Sequence, residues 1–209
     1  MARGRLITIE GIDGAGKSTL AGALHGALSS RGLHPQLVRE PGGVELSERL
    51  RALVTDPGLE VSPRAEALLY AAARAQLVAE LLLPRLQDGQ LLLLDRFSDS
   101  TLAYQGGGRG LGVEQMHRLD SFATGSLVPD RTLLLRLPVA VAASRLDGRR
   151  DRLESGPPQF FEAVAATYDE LAAAEPERFR VLDATRPPDE LLAAALDALA
   201  DLLDADPGG

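Results

Sequence analysis

The most informative segment of the chain is LITIEGIDGAGKSTL, residues 6–20. The apolar, β-branched residues 6–10 predict a buried strand that ends at a glycine, and residues 16–30 predict a helix. Between them, residues 11–18 match the pattern GxxxxGK[ST] in the strand–loop–helix context that a phosphate-binding loop requires. The backbone N–H groups of such a loop and the dipole of the following helix both favour anions. We therefore expect this segment to hold the phosphates of a nucleotide.

Lys17 is the only lysine among 22 basic residues, and the chain has no asparagine. A coding bias toward G- and C-rich codons explains both facts, because such a bias replaces Lys by Arg wherever a positive charge on a long side chain is sufficient. A tight phosphate cradle accepts the compact ammonium of Lys but not the wide, planar guanidinium of Arg. We predict that Lys17 contacts the β- and γ-phosphates and that Ser18 ligates Mg²⁺.

The composition argues against several classes of function. The chain has no cysteine, which excludes disulfides, thiolate catalysis and Cys-ligated metal sites. The net charge of −8 argues against general nucleic-acid binding, which usually needs a basic face. No signal-peptide pattern is present at the N-terminus and no apolar run approaches membrane-spanning length, so we expect a cytoplasmic protein without membrane contact.

Alternating apolar segments and helical patterns predict an α/β fold with a five-stranded parallel sheet flanked by helices. The four further strands are expected at residues 36–39, 90–94, 131–137 and 179–182. The further helices are expected at residues 45–54, 63–86, 99–104, 113–124, 139–146, 160–174 and 189–203, with Gly106, Gly107 and Gly108 separating two of them. A length of 209 residues predicts a single domain, residues 1–209, in which residues 147–159 form a small mobile lid.

Charged residues stand where the predicted strands end, which is the edge at which parallel sheets bind ligands. They are Glu10, Arg39, Asp95 and Asp183. Asp95 could support Mg²⁺ and Arg96 could bridge two phosphates, although a plain ion pair at the strand end is the alternative. Arg39 could clamp a phosphate through two N–H groups.

Two further charged features each allow two interpretations. Asp13 lies inside the phosphate-binding loop, where it is either solvated or directed away from the nucleotide toward a hydroxyl group of a second substrate. Arg149, Arg150 and Arg152 lie in the charged segment 147–154, which forms either a solvated surface or a mobile element that closes over the γ-phosphate.

Taken together, the motifs resemble thymidylate kinase over nearly the whole chain. The segments that carry the resemblance are EGIDGAGKST (10–19), REPGG (39–43), YAAAR (70–74), DRFSDSTLAYQGGGRG (95–110), DRLE (151–154), FF (160–161) and DAT (183–185). The combination of REPGG with AYQGGGRG is highly specific. By contrast, a phosphate-binding loop alone says little about the substrate.

The resemblance implies a P-loop NTPase fold and an activity that phosphorylates dTMP to dTDP with ATP and Mg²⁺, in dTTP biosynthesis. It implies a bacterial subtype in which lid arginines reach the γ-phosphate, a homodimer, and a Glu40–Pro41 bond that is commonly cis. The implied catalytic residues are Lys17, Asp95, Arg96 and Arg152, and the implied metal ligands are Ser18 and Asp95. The implied nucleotide contacts are Gly11, Ile12, Asp13, Gly14, Ala15, Gly16, Lys17, Ser18, Thr19, Arg145, Asp183, Ala184 and Thr185.

The resemblance also implies how the acceptor is held. The implied substrate contacts are Asp13, Arg39, Tyr70, Arg74, Arg96, Thr101, Tyr104 and Gln105. Arg39 and Arg96 would hold the phosphate of dTMP, and Asp13 would lie near the 3′-hydroxyl. Tyr70 would stack on thymine, and Tyr104 would disfavour a ribose. Arg74 would bond the edge of the base, and Thr101 and Gln105 would add base contacts.

The chain departs from the family pattern after residues 160–161, where EAVAATY follows instead of a run that often contains an arginine. The lid also carries Pro157 and Pro158, so the arginine that reaches the γ-phosphate is open, and Arg152 is favoured by its DRLE context. The alternatives are another nucleoside monophosphate or deoxynucleoside kinase, a P-loop switch protein, and an inactive dTMP-binding homologue. A GTPase would need the motif NKxD, which a chain without asparagine cannot have.

Overall fold

The central element of the computed structural model, which describes residues 3–146 and 156–204, is a five-stranded parallel sheet. Its strands are β1 (Arg5–Glu10), β2 (Gln36–Arg39), β3 (Leu91–Asp95), β4 (Arg131–Arg136) and β5 (Phe179–Asp183). They are ordered β2-β3-β1-β4-β5, and every neighbouring pair is parallel. Because apolar runs such as the four leucines of β3 can be buried on both faces, they suit the middle of such a sheet. The predicted α/β fold is confirmed.

Helices connect the strands on both faces of the sheet. They are α1 (Lys17–Ser30), α2 (Glu45–Thr55), α3 (Pro63–Leu77), α4 (Leu83–Gln87), α5 (Ser98–Thr101), α6 (Val113–Thr124), α7 (Val139–Arg145), α8 (Pro158–Ala174), α9 (Pro188–Asp197) and α10 (Ala200–Asp204). Two π-helical segments are π1 (Val78–Leu82) and π2 (Leu102–Gly108). The C-terminal helix predicted over 189–203 is divided by a turn that places Leu199 fully inside the core.

The side chains of β1 and β3 alternate between two separate cores, as the period of two in a β-strand requires. Ile7 and Ile9 of β1 point into a core that also contains apolar residues of α1, α8 and α9. Leu6 points to the opposite face, where Leu92 and Leu94 of β3 pack against apolar residues of α3, π1 and α4. The carboxyl ends of all five strands thus meet at one edge of a sheet that is covered on both sides.

The helix predicted over 63–86 is continuous, but it contains the π1 segment between α3 and α4. The run Pro63–Gln87 is long and apolar enough to cross a membrane by length and composition, which corrects the expectation that no segment approaches that length. Within the fold its buried residues Leu77, Leu82 and Leu86 belong to one of the two cores. A core helix passes the same test of length and composition, so the run is weak evidence for a membrane span.

The glycine triplet 106–108 does not end a helix, which is a second correction. These residues lie inside π2, which continues directly from α5. A Cβ atom on Gly107 would lie 2.0 Å from Thr167 Oγ1 of α8. Glycine is therefore required at this position because α8 packs directly against the backbone of π2.

Candidate active site

A cavity of about 330 Å³ opens at the carboxyl ends of β1, β2 and β3. Its walls are formed by the loop after β1, the start of α1, and parts of α2, α3, α5 and π2. The sequence-predicted residues that the structure brings together here are Asp13, Gly14, Gly16, Lys17, Ser18, Thr19, Arg39, Tyr70, Arg74, Asp95, Arg96, Thr101, Tyr104 and Gln105. Every predicted substrate contact therefore faces one cavity together with the phosphate-binding loop.

The phosphate-binding loop has the geometry of an anion site. Gly14 adopts a φ of 81°, and a Cβ there would lie 2.3 Å from the carbonyl oxygen of Ala142, so the close packing of α7 requires glycine. The helix α1 begins at Lys17 without a side-chain cap. The first N–H groups of a helix have no partner inside the helix, so those of Lys17, Ser18 and Thr19 are available to a phosphate.

The side chain of Lys17 is buried and lies close to several charges. Its Nζ donates a hydrogen bond to the carbonyl oxygen of Ile12 at 2.9 Å and lies 3.9 Å from Asp13 Oδ1. Burial lowers the pKa of Lys17 to about 8, and the positive charge of Arg96 contributes to the same shift, while the neighbouring carboxylates oppose it. Because anions favour the charged form of a neighbouring lysine, a phosphate bound in this loop would hold Lys17 protonated.

Ser18 and Asp95 form a pair of oxygen donors at the end of β3. Ser18 Oγ donates to Asp95 Oδ2 at 2.5 Å. Hydroxyl and carboxylate oxygens are the ligands that Mg²⁺ prefers, and Mg²⁺ commonly takes its remaining ligands from water and substrate phosphates. Within residues 3–146 and 156–204, no three His, Asp or Glu side chains converge on a metal position. The pair therefore fits a metal ion that is bound partly by phosphate.

Arg96 is fixed in an unusual backbone conformation directly after β3, with a φ of 73°. Its guanidinium donates to the carbonyl oxygen of Gly11 at 3.1 Å and to Ser100 Oγ at 3.0 Å. It also donates to Asp13 Oδ1 and to the hydroxyl of Tyr104, and it lies 5.0 Å from the centre of the Tyr104 ring. A non-glycine residue in this conformation is strained, and the surrounding hydrogen bonds hold it there.

Asp13 is held in the cavity wall by an ion pair, so the interpretation of Asp13 as a solvated loop residue is wrong. It pairs with Arg96 and accepts a hydrogen bond of 2.7 Å from the hydroxyl of Tyr104. Burial alone would raise the pKa of Asp13, but the positive charges of Arg96 and Lys17 overcome it and hold the pKa below its ordinary value. Asp13, Tyr104 and Arg96 thus form one hydrogen-bonded cluster in the cavity wall.

Glu10 supports this cluster from beneath. It is fully buried and accepts hydrogen bonds from Phe97 N at 2.7 Å, Ser100 Oγ at 2.6 Å and Tyr168 OH at 2.8 Å. Burial raises the pKa of Glu10 to about 7, and the nearby Asp99 contributes, while Arg96 opposes the shift. Because Glu10 fixes the N–H group that follows Arg96, it helps to hold the strained backbone.

The part of the cavity beside α3 is built around Arg74, which is buried and donates most of its N–H groups to protein acceptors. It donates to Glu40 Oε1 and Asp120 Oδ1 at 2.6 Å each, to Thr101 Oγ1 at 2.9 Å and to the carbonyl oxygen of Phe97 at 3.2 Å. These contacts use four of the five N–H groups of the guanidinium. Burial raises the pKa of Glu40 to about 7, although Arg74 opposes the shift.

A second cavity of about 740 Å³ lies on the other side of the phosphate-binding loop, where Gly11 and Ile12 line it together with Asp183 and Thr185. Arg145 donates to the carbonyl oxygen of Ala184 at 3.0 Å, so the predicted nucleotide contacts at the ends of α7 and β5 do meet. Ala15 instead belongs to the apolar core. Arg149, Arg150 and Arg152 lie outside the described residues.

Sequence reasoning missed several residues that line the first cavity, above all Arg51, Thr55 and Ser100. Arg51 donates to the carbonyl oxygen of Pro41 at 3.1 Å, directly after the Glu40–Pro41 bond, which is cis as expected. Glu48, Arg51 and Thr55 are spaced by three and four residues, which places them on one face of α2. That spacing, directly after the REPGG turn, was the available signal.

Comparison with known proteins gives a consistent result over most of the chain. A family model described as thymidylate kinase matches residues 9–195. The thymidylate kinase of Deinococcus radiodurans is 45% identical over 203 residues, which cover 96% of this chain and 98% of that protein. Those of Desulforudis audaxviator and Chromobacterium violaceum are 50% and 48% identical over 186 residues, which cover 88% of this chain in each case and 84% and 88% of the relatives. The chain therefore belongs to the thymidylate kinase family.

Proposed function

We propose that this chain transfers the γ-phosphoryl group of ATP to the phosphate of dTMP, yielding ADP and dTDP for dTTP biosynthesis. The observation that carries the proposal is one cavity that is lined both by the phosphate-binding loop and by the predicted acceptor contacts. These residues are Lys17 and Ser18 on the loop, and Arg39, Arg96, Tyr70, Arg74, Thr101 and Gln105 around it. This arrangement supports a reaction between a nucleotide held by the phosphate-binding loop and a phosphorylated nucleoside bound beside it. The family membership supports the same reaction.

The donor triphosphate is held by the N–H groups at the start of α1 and by Lys17. Ser18 and Asp95 would hold Mg²⁺, which neutralises charge on the phosphate oxygens when it is bound. Arg145 and the loop Asp183, Ala184 and Thr185 lie where the adenine is expected. Thr185 is held by Asp183 through hydrogen bonds from its N–H at 3.0 Å and its hydroxyl at 2.6 Å.

The acceptor phosphate is held by Arg39 and Arg96. A phosphate monoester oxygen is anionic near neutral pH, so the reaction needs no general base. Rate enhancement then comes from in-line positioning and from neutralising the charge that develops on the transferred group. Lys17 and Arg96 both line the cavity, which supports this role for them. Arg152 is the lid residue that we propose closes over the γ-phosphate, within a lid of residues 147–159.

The sugar and base are held by the opposite wall. Tyr70 supplies an aromatic surface for thymine and Arg74 one remaining N–H group for the base edge, while Thr101 and Gln105 lie beside it. Tyr104 is tied to Asp13 by hydrogen bonds in both directions, with Asp13 N donating to the tyrosine hydroxyl at 3.0 Å. Such a fixed ring leaves little room for a 2′-hydroxyl group, which favours a deoxyribose.

We also propose that the protein is a homodimer. The helices α2, α3 and α6 pack side by side, and each leaves large apolar side chains exposed. Leu53, Leu68 and Phe122 are examples, and Phe122 is 90% exposed. Exposed apolar surface of this kind marks interaction sites. Sedimentation of wild type and Phe122→Asp tests the proposal, because the variant should sediment as a monomer. A cytoplasmic location, where ATP and deoxynucleotides are available, belongs to the same proposal.

The reaction is tested by ADP release with Mg²⁺-ATP and, separately, dTMP, dUMP, dCMP, dGMP, UMP and thymidine. Strong turnover of dTMP, weak turnover of dUMP and none of thymidine are expected. Turnover of another acceptor would retain the donor site but overturn the assignment of the base pocket. If no acceptor is turned over, the protein is an inactive homologue, and calorimetry with dTMP would then decide whether it binds the nucleotide.

A further inference from the structure

Gln105 is held so that the NH₂ end of its amide is turned toward a buried carboxylate. The side chain is buried and lines the first cavity. Its Nε2 donates to Glu66 Oε1 at 2.8 Å. A carboxylate accepts hydrogen bonds and has none to give, so the NH₂ end of the amide must face Glu66. The carbonyl end, Oε1, is then the part of Gln105 that remains for a ligand.

Glu66 is itself held in place on α3 by an ion pair with Arg109. Its side chain is fully buried, and Arg109 donates to both of its carboxylate oxygens, from Nε at 3.2 Å and from Nη2 at 3.1 Å. The guanidinium of Arg109 is in turn packed over the ring of Phe160, at 4.7 Å from the ring centre. Paired N–H groups of arginine match a carboxylate in one geometry only, so the orientation of Glu66 is fixed.

The neighbouring polar group in the cavity has the opposite character. Arg74 carries only N–H groups, and among the described residues no acceptor takes the fifth of them. Arg74 contacts Thr101, which lies four residues before Gln105 on the same continuous helix. Arg74 and Gln105 both line the first cavity, so a donor from Arg74 and an acceptor from Gln105 can meet the same ligand.

This order of donor and acceptor matches one class of pyrimidine. Thymine and uracil carry a carbonyl oxygen at C4 beside an N–H group at N3. Cytosine has the reverse order, with an amino group at C4 and an acceptor nitrogen at N3. A donor opposite C4 and an acceptor opposite N3 therefore bind the first class and leave both polar groups unpaired with the second.

We propose that Glu66 is a specificity-determining positioning residue, which fixes the amide of Gln105 so that the site accepts a 4-oxo pyrimidine and rejects a 4-amino one. The inference rests on the proposed function, because it assumes that the base of the acceptor lies against Gln105. Glu66 acts through Gln105 and does not touch the substrate.

The test compares kcat/KM for dTMP and dCMP in wild type, Glu66→Gln, Gln105→Met and the double variant. A glutamine at position 66 can turn either end of its amide toward Gln105, so Gln105 is free to reverse. The preference for dTMP over dCMP should fall by about 10- to 100-fold in Glu66→Gln and in Gln105→Met. In the double variant it should fall no further than in Gln105→Met, because Glu66 has then lost the group through which it acts.

The matched control is Glu45→Gln, which makes the same chemical change in an exposed ion pair on α2. The preference of Glu45→Gln for dTMP over dCMP should equal that of wild type. An unchanged preference in folded Glu66→Gln, or additive losses in the double variant, would overturn the proposal. If Glu66→Gln does not fold, Gln105→Met decides alone, and full retention of the preference in that variant overturns the proposal.

Affinities of dTMP and dCMP, measured by calorimetry for the same four proteins, separate this inference from the proposed reaction. If wild type does not turn over dTMP but binds it in preference to dCMP, and Glu66→Gln loses that preference, the proposed reaction is contradicted and the role of Glu66 is supported. If wild type turns over dTMP and Glu66→Gln keeps the preference for dTMP, the proposed reaction is supported and the role of Glu66 is contradicted. A wild type that binds the two nucleotides equally would overturn the role of Glu66.

Discussion

Arg74 and Arg39 line the same cavity but differ in burial and in how firmly the protein holds them. Arg74 is 2% exposed and is held by two buried carboxylates, whereas Arg39 is 54% exposed and pairs with one half-exposed glutamate at 3.2 Å. The part of the cavity around Arg74, where we propose that the base binds, is therefore assembled before any ligand arrives, while Arg39, on the proposed phosphate side, can change its partner. Substitutions at the base side should affect folding, and substitutions at the phosphate side should affect kinetics alone.

The largest effect on activity is expected for Lys17→Ala, in the phosphate-binding loop. The value of kcat should fall by at least about 10³-fold, because a preorganised cation on the transferred phosphoryl group is lost. The free energy of unfolding should not fall, since burial already penalises the charge of Lys17. Coupled ADP release and urea unfolding give the two values. Near-normal turnover would contradict both the proposed mechanism and the division between the two sides.

Arg74→Met should give the largest loss of stability. Removing the guanidinium leaves Glu40 and Asp120 without their buried partner, which costs about 3–4 kcal/mol in the free energy of unfolding. The control is Arg49→Met, which breaks an exposed ion pair with Glu45 and should cost less than about 1 kcal/mol. If urea unfolding gives the two variants equal stability, Arg74 is not the structural anchor of the base side.

Glu40 should make stability depend on pH. Its pKa is raised to about 7 by burial, and its buried Oε2 has no hydrogen-bond partner in the part of the chain that the structure describes. The folded state therefore retains a proton that the unfolded chain loses near its ordinary pKa of 4.5, so stability decreases as pH rises from about 4.5 to about 7. The contribution is about 3 kcal/mol. The pKa of Glu10 is raised to about 7 as well, so Glu40→Gln should make this part of the curve less steep without flattening it, and an unchanged slope would refute the assignment.

Arg39→Ala should have the smallest effect. The KM for dTMP should rise by about tenfold, as expected for the loss of one charge-assisted hydrogen bond. The free energy of unfolding should stay within about 0.5 kcal/mol of wild type because the side chain is exposed. A destabilised Arg39→Ala would remove the contrast with Arg74, whereas an unchanged KM would transfer the phosphate contact to Arg51.

The strands and the phosphate-binding loop could be predicted from the sequence because their signals are local. Four consecutive leucines in β3 specify a buried strand, and glycines at fixed spacing specify the loop. The π-helical segments could not be predicted in this way. The glycines of π2 look like a helix end until α8 is packed against them, and that contact joins residues about 60 positions apart.

Only the site residues that belong to recognisable sequence motifs could be predicted. Arg96 and Tyr104 were expected to face the acceptor, and they do line the cavity. Their link to Glu10, through Ser100 and Tyr168, depends on side chains that three separate elements bring together. The contact of Glu66 with Gln105 spans 39 positions and has no local signature.

The close approach at Gly107 also limits how the gene can change. Every substitution there adds at least a Cβ atom, which would lie 2.0 Å from Thr167 and separate α8 from π2. The same helix α8 carries Phe160, which packs edge-on against Tyr104 with 6.0 Å between ring centres. In a saturation-mutagenesis library selected for growth, position 107 should therefore be as intolerant as a catalytic position, although glycine has no side chain with which to act on a substrate.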